Sequence, residues 1–444
     1  MISRGPLATF VARATAHDIA VHSLEVTSGG TTLASAGAPW RGVDAPHRMY
    51  SVAKSLTALL VCELAAVGRI DLRDPILRHF PDLSTDPHPW LAQTTIADVL
   101  SMRGPHAKTT YEESEPDWLA SYFRVVPTHR PGTLFTYDTS GSYVLSALVE
   151  RITGQTLGEV MREQLIAPLG DARGFRMITG PDGVGHGGSG LVCTPRVMLR
   201  LAEAINADGV WQGSRILAPE TARLAARRHN DASMQTWGAS LRAGYGYGFW
   251  LPPEGGWMMF GLGGQIVYGD PSRDVAAVVT ADAKACQSGD QRLVDLLLDA
   301  LGNLSGAETE LDLDLAAPSH TSADARAIAG RFAAASGRGQ PATIDLALSG
   351  ESCTLRFDGR TIEAVAGSPH RFALADLGDG VATAGWTAPG VLQVRVDALG
   401  DDIATVRIRV VATADDAVTI QAQGFGPAVD PSWTWMGDYA RIGS

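Results

Sequence analysis

Apolar residues run almost unbroken through "YSVAKSLTALLVCELAAVG", residues 50–68, where only Lys54 and Glu63 carry charge between Val52 and Val67. The two lie nine positions apart, outside the three- and four-residue spacings at which helical side chains meet. The pattern predicts a helix that is apolar on nearly every side and therefore buried. Upstream, "HDIAVHSLEVTSGGTTLAS" (17–35) alternates apolar and polar residues around a Gly-Gly pair, the signature of a β-hairpin. From about 70 to 235, helical spacing dominates: "TIADVLSMRG", "SYVLSALVERITG" and "TPRVMLRLAEAINADG" each end at glycine. Strand signals return in "GYGYGFWLPP", "GWMMFGLGGQIVYGDPSRD" and "VAAVVTAD", and "DQRLVDLLLDALGNL" predicts a closing helix. Strands at both ends with helices between them predict one sheet assembled from distant segments and packed on a helical region, a domain covering 1–305.

Beyond Leu304 the texture changes. "SGAETELDLDLAAPSHTSADA" is acidic and free of aromatics, and predicts a linker over 306–321. Short strand patterns punctuated by glycine then recur in "ATIDLALSG", "SCTLRFDGRTIEAVAG", "VLQVRVDALG", "IATVRIRVVA" and "AVTIQAQGFG". They predict a small all-β domain, barrel or sandwich, over 322–444.

The chain has 444 residues, 45% hydrophobic and 19% charged, as expected of an ordinary globular protein. Its net charge of −12 argues against nucleic acid as a partner, because phosphate binding needs a basic surface. No stretch reaches the roughly 18 uninterrupted apolar residues of a membrane span. The N-terminal segment lacks a convincing secretory core, so a cytoplasmic location is the expectation. Cys62, Cys193, Cys286 and Cys353 are scattered, no histidines recur at ligand spacing, and no metal is expected. The glycine-rich segments lack the P-loop lysine and the dinucleotide pattern, so no cofactor is expected either. A homo-oligomer is compatible with the sequence.

Ser51 and Lys54 form a Ser-x-x-Lys at the head of the apolar helix, one turn apart on one face. Burial disfavours a charged lysine and lowers its pKa. A neutral amine beside a hydroxyl is a general base that activates a nucleophile. The four residues carry little information by themselves, and a lysine can also snorkel from a core helix to water.

"YSVAKSLTALLVCELAAVGRIDLRDPILRHFPDL" closely resembles the nucleophile helix and following segment of the serine β-lactamase-like hydrolases, which include class C β-lactamases, DD-peptidases, D-aminopeptidases and many esterases. "TIADVLSMRG", "HRPGTLFTYDTSGSYVLSALVERITGQTLGEVMREQLIAPLG", "GGSGLVCTP", "GYGYGFW" and "FGLGGQIVYGDPSRD" follow in the family's order, over about residues 20 to 300. The resemblance implies an α/β (α+β) fold of the β-lactamase/transpeptidase type, an antiparallel sheet flanked by helices with an added helical region. The C-terminal part is similar to the lipocalin-like small β-barrel domain appended to some members. The resemblance assigns Ser51 as nucleophile, Lys54 as its base and Tyr137 of "TYDTSG" as proton relay, with Thr139 standing where asparagine is commonest. The third family element, Lys-Thr-Gly or His-x-Gly, falls on Met259-Phe260-Gly261, so its cation or imidazole is missing. That puts penicillin hydrolysis and D-Ala-D-Ala recognition in doubt and favours a neutral or differently anchored acyl substrate.

Gly261, Leu262, Gly263 and Gly264 are candidate substrate contacts, since a glycine-rich strand end lets backbone approach the substrate and supply an oxyanion amide. A tight bend without substrate contact is the alternative reading. His106, on a Gly-Pro loop, is a further substrate-binding candidate or an exposed loop histidine, and His186 reads as part of a turn. Trp118, Tyr245, Tyr247, Trp250 and Trp257 wall a pocket or fill the core. The expected activity is hydrolysis of an ester or amide of a small acyl substrate through a Ser51 acyl-enzyme. The alternatives are acyl transfer or peptide cyclisation by the same intermediate, and a weakly catalytic penicillin-binding or sensor-like protein.

Overall fold

Strands far apart in sequence close into one antiparallel sheet, ordered Thr31–Gly37, Ala20–Ser28, Val275–Asp282, Gln265–Asp270, Trp257–Gly261. The computed structural model describes residues 5–443 except 171, 236, 309, 314–327, 337–338, 375 and 415. Every residue of the central strand Val275–Asp282 is buried, because both faces of the sheet are covered. Period-2 alternation sorts its side chains: Ala276 and Val278 enter the helical core, whereas Val275, Ala277, Val279 and Ala281 pack with the terminal helices Pro6–Ala16 and Gly289–Gly302.

The apolar helix spans Val52–Ala66, and twelve of its fifteen residues are buried, so it has no solvent face along which a lysine could snorkel. Helices Thr139–Thr153 and Pro219–Ala225 pack against it. Glu63, the second charge on the helix, turns away from Lys54 and accepts the Ala218 amide at 2.8 Å. The expected hairpin and the helices Ile96–Leu100, Thr139–Thr153, Pro195–Asn206 and Gly289–Gly302 are present. "GYGYGFWLPP" is not a strand; Tyr245 and Trp250 form isolated bridges only, since Gly246 and the positive φ of Gly248 bend the chain between them.

The C-terminal strands form a closed nine-stranded β-barrel with a tenth short strand, His370–Leu374, beside it. Closure comes from a short parallel pairing of Arg360–Ala366 with Gly378–Ala388. Inward positions alternate, as in Leu392, Val394 and Val396 or Val406, Ile408 and Val410, and with Phe332, Phe357, Trp433 and Trp435 they fill the interior. The expected linker begins anchored: the Glu308 carboxylate accepts the Leu7 and Ala8 amides at 3.0 and 2.8 Å, capping the first helix. Its remainder, from 314, lies outside the described residues. The barrel meets the sheet through a polar seam in which Thr405 Oγ1 lies 2.7 Å from Asp282 and 3.0 Å from Asp397. Arg395 forks onto Asp397 at 2.8 Å for each bond.

Leu59 is wholly buried at the centre of helix Val52–Ala66. Leu59→Ala is expected to destabilise the fold by ~2–5 kcal/mol through lost contacts and a cavity, visible as a lowered Tm in a circular-dichroism melt. An unchanged Tm would contradict this placement of the helix in the core.

Candidate active site

Strand His47–Tyr50 delivers the chain to Ser51, which stands at the N-cap of helix Val52–Ala66. The strand pairs with Leu191–Cys193, His47 opposite Cys193 and Arg48 opposite Val192, while Tyr50 bridges Gly190. This pairing sets the loop 186–190 against the first helical turn. Lys54 Nζ there donates to Gly188 O at 2.6 Å and lies 3.1 Å from Ser51 Oγ. Lys54 is only 3% exposed. Burial pulls its pKa down to about 7, with the nearby Asp138 carboxylate acting in the opposite direction. The spacing places the two groups one turn apart; the surrounding protein is what dehydrates the amine.

Tyr137 comes from the segment that enters helix Thr139–Thr153. Its ring stacks on Trp250, meets Trp237 edge-on, and presents its face to Lys54 Nζ at 4.9 Å from the centroid. Burial raises the Tyr137 pKa above the ordinary phenol value, against a lowering by its hydrogen bond with Ser51. Ser51, Lys54 and Tyr137 are thus brought together. Asp138, which the sequence reading passed over, lies fully buried next to them. Its carboxylate accepts from Ser140 N at 2.8 Å and Gly141 N at 3.2 Å, capping the helix. Burial raises its pKa to about 6, opposed by those bonds and by Lys54. The signal for it was available: an Asp just before a helical pattern is an N-cap signature.

Thr139 opens the same helix, its amide bonded to Thr109 Oγ1 at 3.2 Å, and its methyl group lies so close to Gly188 that a Cβ there would clash. The carbonyl of Gly188 is a second group the sequence did not single out. His186, read as part of a turn, is buried beside the lysine; burial first, then Lys54 and Arg48, push its pKa down to about 3 and keep it neutral. Its ring lies edge-on to Trp118 and Tyr111, which stack on each other at 4.2 Å.

Gly261 ends strand Trp257–Gly261 against the turn at Ser51: a Cβ there would collide with Met49 O and sit 3.2 Å from Ser51 N. Leu262, Gly263 and Gly264 make the tight turn into the next strand, closed by Gly264 N to Gly261 O at 3.2 Å. Gly263, at φ 79°, abuts Ile403 of the barrel, and Gly264 faces Leu293, so neither is directed at Ser51 by these contacts. Buried Gln265 locks the turn, donating to Leu262 O at 3.0 Å and Ala281 O at 2.8 Å. Met259 and Phe260, at the third family position, are buried apolar side chains. His106 is buried rather than exposed on its loop, with Nε2 paired to Tyr122 O at 3.0 Å. Its bonds join it to helix Trp118–Arg124 and not to Ser51 or Lys54. Tyr245, Trp250 and Trp257 are core residues, while Tyr247 stacks on His229. Among the described residues, no group of three or more His, Cys, Asp or Glu could hold a metal ion, and no helix is long and apolar enough to cross a membrane.

Comparison with known proteins gives a consistent set. The 6-aminohexanoate-dimer hydrolase of Paenarthrobacter ureafaciens is 26% identical over 39% of this chain and 49% of its own length. A family VIII carboxylesterase superposes with a TM-score of 0.54 at 18% identity, covering 68% of this chain and 98% of that one. SurE, solved alone and with D-Leu, covers 98% of both chains, barrel included, with a TM-score of 0.53 and 16–17% identity. The family model described as Beta-lactamase matches residues 7–300, most of the chain, and the chain therefore belongs to the Beta-lactamase family.

Proposed function

We propose that this protein is a serine hydrolase that cleaves an ester or amide bond of a small acyl substrate through a Ser51 acyl-enzyme. The observation that carries the reading is a dehydrated lysine amine 3.1 Å from the serine hydroxyl. Two pKa shifts in opposite directions divide the labour. With its pKa near 7, Lys54 is substantially neutral at physiological pH and has a lone pair to offer. Tyr137, raised above the phenol range, keeps its proton and is a donor.

Lys54 takes the proton as Ser51 Oγ bonds to the acyl carbon. The oxyanion forms at the helix N-terminus, where the Ser51 amide and the backbone leaving Gly261 are the donors at hand. As the leaving-group bond breaks, Tyr137 gives that group its proton and is refilled from the Lys54 ammonium. Water then yields a proton to the same pair and attacks the ester, and Ser51 departs reprotonated. Apolar Met259 and Phe260 favour an acyl substrate without a carboxylate to be paired at that position. Handing the acyl group to an amine or alcohol is the second reading. It is favoured by the shared two-part architecture with SurE, which has been solved with D-Leu.

Fluorophosphonate treatment followed by intact-mass analysis is expected to add one adduct to the wild type and none to Ser51→Ala; equal labelling of both would remove Ser51 from the mechanism.

The pH dependence follows from the sign of the lysine shift. Protonation removes the base, so kcat/KM is expected to fall as pH drops through about 7. Asp138 raises the Lys54 pKa, so Asp138→Asn, which keeps a capping oxygen, is expected to move that acid limb to lower pH. A limb that stays in place or moves upward would contradict the pairing.

The same burial is a stability cost. The folded Lys54 pKa lies below the unfolded value of 10.5, so the cost is absent above pH 10.5, grows as pH falls toward 7, and is complete below it. Lys54→Met is expected to abolish acylation while its Tm at pH 6 equals or exceeds that of the wild type. A large fall in Tm would show that the lysine holds the fold together.

A further inference from the structure

We propose that the barrel loop 399–404 is a positioning part of the active site, with Tyr50 and Asp402 as its positioning residues. The proposal rests on the serine-hydrolase reading above. Tyr50 immediately precedes Ser51 and has φ 46°, the left-handed region that an L-residue with a bulky side chain rarely occupies. Such a conformation persists only where the surroundings hold it. Here the hold comes from the barrel. The Tyr50 hydroxyl donates to Asp402 Oδ1 at 2.9 Å and accepts from the Ile403 amide at 2.9 Å, so both of its hydrogen-bonding roles are filled by one loop.

The loop is itself fastened to the hydrolase region around that tyrosine. Arg48, two residues before Tyr50 and on the same face of the strand, pairs with Asp402 and donates through Nε to Ser189 O at 3.1 Å. Ser189 adjoins Gly188, the acceptor for Lys54. Arg176 pairs with Asp401, and Arg41 donates to Gly400 O at 2.6 Å. On the other side Ile403 packs against Gly263, in the turn that follows Gly261. One loop of the barrel therefore touches the residue before the nucleophile, the strand leading to it, and the turn beside its amide. Its seat sets the backbone of Ser51 relative to that turn.

The test uses the full-length protein with Tyr50→Phe, Asp402→Ala and Asp402→Asn. The rate of Ser51 phosphonylation by a fluorophosphonate, with fluoride as leaving group and corrected for the active fraction, is read alongside kcat and KM for a p-nitrophenyl ester and a thermal melt. Tyr50→Phe and Asp402→Ala are expected to lower the phosphonylation rate and kcat by ~10-fold or more with KM little changed, because the lost contact orients the nucleophile and does not bind substrate. Asp402→Asn, whose amide oxygen still accepts from Tyr50, is expected to retain most of the rate. Wild-type phosphonylation rates in Tyr50→Phe and Asp402→Ala would overturn the proposal. So would losses that track the melting temperature alike in all three variants, which would mean the loop only stabilises the fold. If Tyr50→Phe does not fold, the two Asp402 variants carry the comparison. A wild type that takes no label removes the hydrolase reading and this proposal together, whereas a reactive wild type with unaffected variants removes this proposal alone.

Discussion

The molecule is organised around an amine kept from water. Lys54 sits on a helix with no solvent face, and its nitrogen is left two polar neighbours, the Ser51 hydroxyl and the Gly188 carbonyl. Neither is charged, so no carboxylate is in direct contact with the amine, and desolvation outweighs the more distant Asp138. A surface lysine would keep its proton and be useless as a base at neutral pH. In the proposed mechanism, burial in an apolar helix is therefore a condition of the chemistry.

Covering it takes segments from the whole chain. The sheet borrows its strands from both ends of the first domain, and helix Thr139–Thr153 brings Tyr137 and Asp138 against the lysine from another direction. The three-stranded pairing at His47–Tyr50 contributes the Gly188 carbonyl. Each contact is long-range in sequence, so the site exists only once the fold is complete. The barrel extends this dependence, since its loop 399–404 reaches the turn just before Ser51.

The third family position shows a different constraint. Where the resemblance to the β-lactamase-like hydrolases implies a cation or an imidazole, this chain buries Met259 and Phe260 against its two cores. The course of that strand's backbone does not depend on those side chains: Gly261 passes so close to the Ser51 amide that an added Cβ would lie 3.2 Å from it, and Gln265 ties the turn to Ala281.

Much of this was legible in the residues. The apolar run from Val52 to Val67, the Ser-x-x-Lys spacing and the alternation of the C-terminal strands are local patterns, and local patterns report helix, strand and shared face directly. Asp138 was readable as a helix cap, but not as a neighbour of Lys54. The environment of His106 and His186 was not readable at all, because whether a loop histidine is buried depends on what folds over it. The same holds for Gly188, Asp402 and Ile403, which lie 134, 348 and 349 positions from Lys54 along the chain. Sequence by itself determined the periodicity of the elements and which side chains can do acyl chemistry. Tertiary structure alone decided which of them are dehydrated, paired and brought within reach, because dielectric environment and distance are properties of the packed chain and not of any segment of it.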